Sequence, residues 1–140
     1  VDPKERDTLL DLLKTLRLKD ITDAKLIVNA PSSYYSLLDT HCISYDTEAD
    51  KLAYDFIQIF GFSNDELLQL SSLYIEYLKP DGIFWLMYPN KESKRYRNET
   101  VTKDTVENLL REYRYQPVRH IVFDEDFSGI QFEPFDKSQL

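Results

Sequence analysis

The chain has 140 residues, of which only 3 are glycine, and it carries 17 Lys and Arg against 25 Asp and Glu, a net charge of −8. Roughly ten glycines would be average at this length. Gly61, Gly82 and Gly129 lie far apart, which excludes a G-x-G-x-x-G dinucleotide fingerprint and a glycine-rich P-loop.

The acidic balance counts against a protein that lies along phosphate backbones. One Cys and two His exclude a disulfide framework and a thiolate zinc site within these residues. No apolar stretch nears the roughly 18 residues that span a bilayer, and no signal-peptide pattern is visible. The expectation is one cytoplasmic domain with no membrane partner. Its start at Val1, with Met87 as its one Met, is expected to mark a processed or trimmed chain. Aromatics at 14% should dominate the core.

Asp2, Pro3 and Glu5 form an N-terminal capping arrangement. Leu9, Leu12, Leu13 and Leu16 follow at helical spacing, so 1–19 reads as an amphipathic helix. Leu26-Ile27-Val28-Asn29-Ala30 is a short apolar run suited to a parallel strand covered on both faces. Pro31 ends it, and a serine of Ser32-Ser33 is expected to cap a short helix through Tyr34, Leu37 and Leu38. Cys42 to Tyr45 reads as a short second strand. Tyr54 to Phe60 is a buried strand. Ser63 to Glu66 is a capping box that opens a helix facing inward with Leu67, Leu70, Tyr74 and Tyr77. Lys79-Pro80-Asp81-Gly82 is a turn into the apolar strand Ile83 to Tyr88. A polar loop from Asn90 to Thr100 follows. Thr102 caps a helix that buries Val106, Leu109, Leu110 and Tyr113. Pro117 to Phe123 and Ser128 to Phe132 are close enough to form an antiparallel hairpin. Alternating strands and helices call for a mostly parallel three-layer αβα sheet.

Tyr54-Asp55-Phe56-Ile57, a helix, and Leu78-Lys79-Pro80-Asp81-Gly82-Ile83-Phe84-Trp85 resemble the middle of a class I S-adenosylmethionine-dependent methyltransferase. That family ends in an antiparallel hairpin, as Val118 to Phe132 does. Asn29-Ala30-Pro31 and Tyr88-Pro89 make the chain similar, more closely, to a small bacterial family of unknown function with a shortened version of this fold. The resemblance implies a Rossmann-like sheet with a C-terminal hairpin. It also implies a cofactor loop after the first strand, where Ala30-Pro31-Ser32-Ser33-Tyr34 stands in place of a glycine-rich turn. An acid to hold a ribose would be Asp46 or Glu48. Too few residues separate these from Tyr54 for the usual third strand and helix.

Open α/β sheets bind ligands beyond the carboxyl ends of their strands. The candidate binding residues are Asn29, Pro31, Ser32, Ser33, Tyr34, Asp46, Gly61, Ser63, Tyr88, Lys91, Lys94 and Arg95. Helix starts near Ser33 and Ser63 present partial positive charge, and the cations of the 91–97 loop add full charges. This is the pattern of an anion site, against which stands a plain solvated loop interrupted by Glu92 and Glu99. Tyr96 between Arg95 and Arg97 could stack a base, but the net charge opposes nucleic acid.

No catalytic set emerges. His41 and Cys42 point to opposite faces of an extended segment, with Cys42 expected in the core and His41 at the surface. His120 reads as structural, and Asp124 to Asp126 as a hairpin turn. Gln58, inside an apolar strand, needs hydrogen-bond partners. The leading expectation is a noncatalytic binding module for a small anionic ligand or a protein partner, with no cofactor. The alternative is an S-adenosylmethionine-dependent methyltransferase with an atypical cofactor loop. A nucleic-acid-binding accessory protein is the minor alternative.

Overall fold

The computed structural model describes residues 14–17, 23–96 and 100–135. Strand β1 is Lys25–Val28, followed by helix α1, Ser32–Thr40. Strand β2 (Tyr54–Phe60), helix α2 (Asn64–Tyr74) and the long strand β3 (Leu78–Pro89) come next. Short helix α3 (Lys103–Asn108) leads to the hairpin of β4 (Tyr115–Val122) and β5 (Phe127–Pro134). The five strands form one sheet in the order β1-β2-β3-β5-β4. The first two pairings are parallel and the last two antiparallel. Among the described residues no helix is long and apolar enough to cross a membrane.

All four residues of β1 are buried, as an unalternated apolar run requires of a strand covered on both faces. One face of the sheet packs Ile27, Phe60 and Trp85 against Tyr34 and Leu38 of α1 and against Leu16. The other packs Ile57, Phe84 and Ile130 against Leu67 of α2 and Val106 of α3. The N-terminal capping residues and Leu9, Leu12 and Leu13 lie outside the described residues. Leu16 is fully buried, and its carbonyl accepts the Trp85 indole N–H at 2.7 Å.

Four local expectations are corrected. Pro31, not a serine, is the N-cap of α1, and no side chain caps that helix. Cys42 to Tyr45 form no strand. Cys42 has φ 56° and is exposed, and its N–H donates to the Asp39 carbonyl while Ile43 N–H donates to Leu38. The segment therefore closes α1 with a left-handed residue. Lys79 to Gly82 do not separate helix from strand. Tyr54 pairs with Leu78 and Phe56 with Ile83, so these residues bulge within β3, pinned by Lys79 Nζ on Asp55 at 2.9 Å. Tyr113 is exposed, in a 3-10 turn beyond α3, because α3 ends at Asn108 and the helical face stops there.

What remains beyond β1 is a single parallel bridge between Leu26 and Asp46. Ile27 N–H donates to the Asp46 carbonyl at 2.9 Å, and Asp46 N–H to the Lys25 carbonyl at 2.8 Å. The step from β1 out to Asp46 runs through α1 on one face. The step from β2 to β3 runs the other way through α2 on the opposite face. Opposite directions on opposite faces give both steps the same hand, in accord with the rule for parallel crossovers. The strand order thus reverses beside β1.

Candidate functional site

Three loops meet at the carboxyl ends of the parallel strands, following Val28, Phe60 and Pro89. Asn29 leaves β1 with φ 61°, a left-handed conformation that Asn tolerates better than most side chains. Its Nδ2 donates to the Phe60 carbonyl at 2.9 Å and so ties the ends of β1 and β2 together. Pro31 then starts α1 with no side-chain cap. Ser32 and Ser33, in the first turn, are exposed. Tyr34 does not enter the crevice. It is buried under α1, with its hydroxyl donating to Gln58 Oε1 at 2.9 Å and its ring against Phe60 and Phe123. Burial raises its phenol pKa. Gln58 therefore has one partner, while its Nε2 has none.

Gly61 N–H donates to the Met87 carbonyl at 3.0 Å, which joins the ends of β2 and β3. A Cβ at Gly61 would lie 2.6 Å from Leu67 side-chain atoms, so α2 packs this closely only over glycine. Ser63 Oγ caps α2 by accepting from Glu66 N–H, and Glu66 Oε1 accepts from Phe62 N–H at 2.8 Å. The Ser63 half of the expected box forms in place, and the return bond from Glu66 falls one residue earlier, on Phe62. Phe62 is partly exposed, its ring tilted against Tyr96 and edge-on to Phe127 at centroid distances of 5.1 and 5.8 Å.

The loop after β3 is held to the terminal hairpin. Asn90 N–H donates to the Asp126 carbonyl at 2.8 Å, and Ser93 Oγ to Asp126 Oδ1 at 2.7 Å. Lys91, Lys94 and Arg95 are exposed on it. Tyr88 is buried beneath, with its hydroxyl 3.1 Å from His120 Nε2. Burial pushes the Tyr88 phenol up to about 12. Asp124 Oδ1 accepts the N–H of Asp126 and of Phe127, so the acidic triplet is a hairpin turn. Among the described residues no cluster suits a metal ion.

Asp46 is not at this edge. It pairs beside Leu26, three positions before Asn29, or about 10 Å along the strand. Its Oδ2 accepts from Lys51 Nζ at 2.6 Å and from the Tyr54 hydroxyl at 2.5 Å. These bonds, the one from Lys51 first, hold its carboxyl below the usual range. The sequence also gave no sign of Tyr35. Its hydroxyl donates to the outward Ile27 carbonyl at 2.7 Å and accepts from Ala30 N–H at 3.2 Å. An Asn directly after an apolar run was the one local signal for the left-handed exit of β1.

No family model matches the sequence, and no curated protein matches it. Solved structures do match by shape. The CcbJ methyltransferase from Streptomyces caelestis aligns with a TM-score of 0.62 at 8% identity, covering 96% of this chain and 96% of its own. A SAM-dependent methyltransferase from Aquifex aeolicus aligns at 0.59 and 14% identity, covering 94% and 93%. A complex of DhpI with S-adenosylhomocysteine aligns at 0.59 and 10% identity, covering 94% and 86%. The chain has a methyltransferase-like Rossmann fold. The expectation of no cofactor is corrected by the same findings. The solved structures that share this fold include DhpI with S-adenosylhomocysteine and with S-adenosylmethionine.

Proposed function

We propose that this chain binds S-adenosylmethionine between the carboxyl ends of β1 and β2 and works as a methyltransferase. The observation that carries this reading is the reversal of strand order beside β1, kept although the outer strands are reduced to the bridge at Asp46. Ligands of open α/β sheets sit at such a reversal. Two aligned structures that are methyltransferases match more than nine-tenths of this chain, which favours this reading over a binding module without chemistry.

The residues present fit one end of the cofactor well. The uncapped start of α1 leaves first-turn N–H groups for a carboxylate, and Ser32 and Ser33 add exposed hydroxyls. Asn29 takes a left-handed turn, a conformation most readily adopted by glycine. Asp46 would not hold the ribose, since Lys51 and Tyr54 already occupy its carboxylate. When bound, the cofactor supplies an electrophilic methyl group. This chain's part is to bind and orient it, with Phe62 and Tyr96 walling the crevice and Lys94 and Arg95 drawing in an anionic acceptor.

Calorimetry with S-adenosylhomocysteine tests this. The wild-type chain should give a saturable signal. Ser33→Tyr, at an exposed position, should weaken it at least tenfold by covering the first-turn amides. No saturable signal from the wild type overturns the cofactor reading. Unchanged affinity in Ser33→Tyr moves the ligand away from α1.

A further inference from the structure

A second cleft lies on the other side of the β3 loop, between Tyr88 to Glu92 and the start of α3, with a volume of about 440 Å³. That is within the range of small-molecule sites. It shares no residue with the Asn29, Ser32, Ser33 and Gly61 crevice, so the two can stand or fall separately.

Its chemistry is specific. Tyr88 is 5% exposed, yet its hydroxyl opens on the cleft and meets His120 Nε2 at 3.1 Å. Burial, and then the Lys103 charge, hold His120 below its usual pKa, with Glu107 opposing. This favours the neutral ring. With the Tyr88 proton directed to Nε2, the ring's Nδ1 carries the remaining N–H. The pair thus holds one donor, on His120, and one acceptor, the Tyr88 oxygen, beside the Ser128 hydroxyl that also bonds it.

The walls add two further facts. Val101 is buried, but Val122 on the opposite wall is 72% exposed, an apolar side chain left in water on the sheet face because α3 is short. The charges around the rim, Lys91 and Lys103 against Glu92 and Asp104, cancel in number. The cleft lining therefore carries no excess of either sign.

We propose that this cleft binds a small uncharged molecule whose planar apolar body covers Val122 and whose head both donates and accepts a hydrogen bond, as a carboxamide does. Tyr88 and His120 read the head.

The test uses benzamide as the probe, with benzoate and benzylamine as charged isosteres, and follows backbone amide signals of the full chain. Benzamide should give saturable shifts at Val101, His120 and Val122. Each charged isostere should bind at least tenfold more weakly. His120→Ala, on the edge strand and outside both core clusters, should weaken benzamide at least fivefold. No saturable shifts, shifts centred elsewhere, equal binding of the three probes, or undiminished binding to a folded His120→Ala chain would each overturn the assignment.

Discussion

The Asn29 side chain reaches across the ends of two strands, its Nδ2 donating to the Phe60 carbonyl at 2.9 Å from a backbone held at φ 61°. Conformation and contact can be separated by substitution. Asn29→Gly loses the bond but keeps the backbone unstrained, a cost of about 1 kcal/mol. Asn29→Ala loses the bond and also puts a Cβ in the left-handed region, which adds about 1 kcal/mol. Urea unfolding should rank wild type above Gly and Gly above Ala. Equal stability of the two variants would mean that the backbone conformation is not enforced.

Tyr35→Phe removes one hydroxyl and strands two backbone groups, the Ile27 carbonyl and the Ala30 N–H. The expected loss is about 1–3 kcal/mol. The local mark is faster hydrogen exchange at Ala30, with core amides of β2 slowed or quickened only in step with global stability.

Asp46 gives a pH signature. Its carboxyl is held below the usual value by the bonds from Lys51 and Tyr54. A depressed folded pKa means stability that is present above the unfolded value, near 3.9, and is lost as pH falls through the folded value. Asp46→Asn should cost about 1–2 kcal/mol at pH 7, mostly through Tyr54, since the exposed lysine adds little. The gap between variant and wild type in denaturant midpoints should close on acidification below pH 4. A gap that persists there assigns the effect to something other than the carboxylate.

Gln58 and Tyr34 form a buried pair with one atom, Gln58 Nε2, left over. Gln58→Met alone strands the Tyr34 hydroxyl, and Tyr34→Phe alone strands Gln58 Oε1. Each should cost about 1–3 kcal/mol. The double variant removes both polar groups and should be less destabilised than the sum, with a coupling of about 1 kcal/mol or more. Additive losses would show that the bond contributes nothing.

The elements legible in the sequence are those whose cause is local. The β1, β2 and β3 runs, the Ser63 and Thr102 caps and the terminal hairpin follow from neighbouring residues, and all appear as expected. The misread elements depend on residues far apart or on ambiguous chemistry. Lys-Pro-Asp-Gly serves a turn or a bulge equally well, and only pairing with Tyr54 and Phe56 decides. Cys42 looks like a core residue by type, but ending α1 puts it at the surface. At the candidate site, the Asn29 bond joins positions 31 apart, and the cleft at Tyr88 needs His120 from a strand 32 residues away. Asp46 is a candidate by its acidity alone, and only its pairing beside Leu26 and its bonds to Lys51 and Tyr54 show that it is engaged elsewhere.

A sheet that stops early leaves a raw edge, and raw edges recruit strands from other molecules. At β1 that edge is closed within the chain. Asp46 takes the Ile27 N–H and the Lys25 carbonyl, and the Tyr35 hydroxyl takes the Ile27 carbonyl. A truncated member of this fold could polymerise through the place where its outer strands are reduced. Here the backbone of Asp46 and the hydroxyl of Tyr35 already pair the outward groups of Lys25 and Ile27, which leaves a neighbouring molecule no ladder to join at those positions.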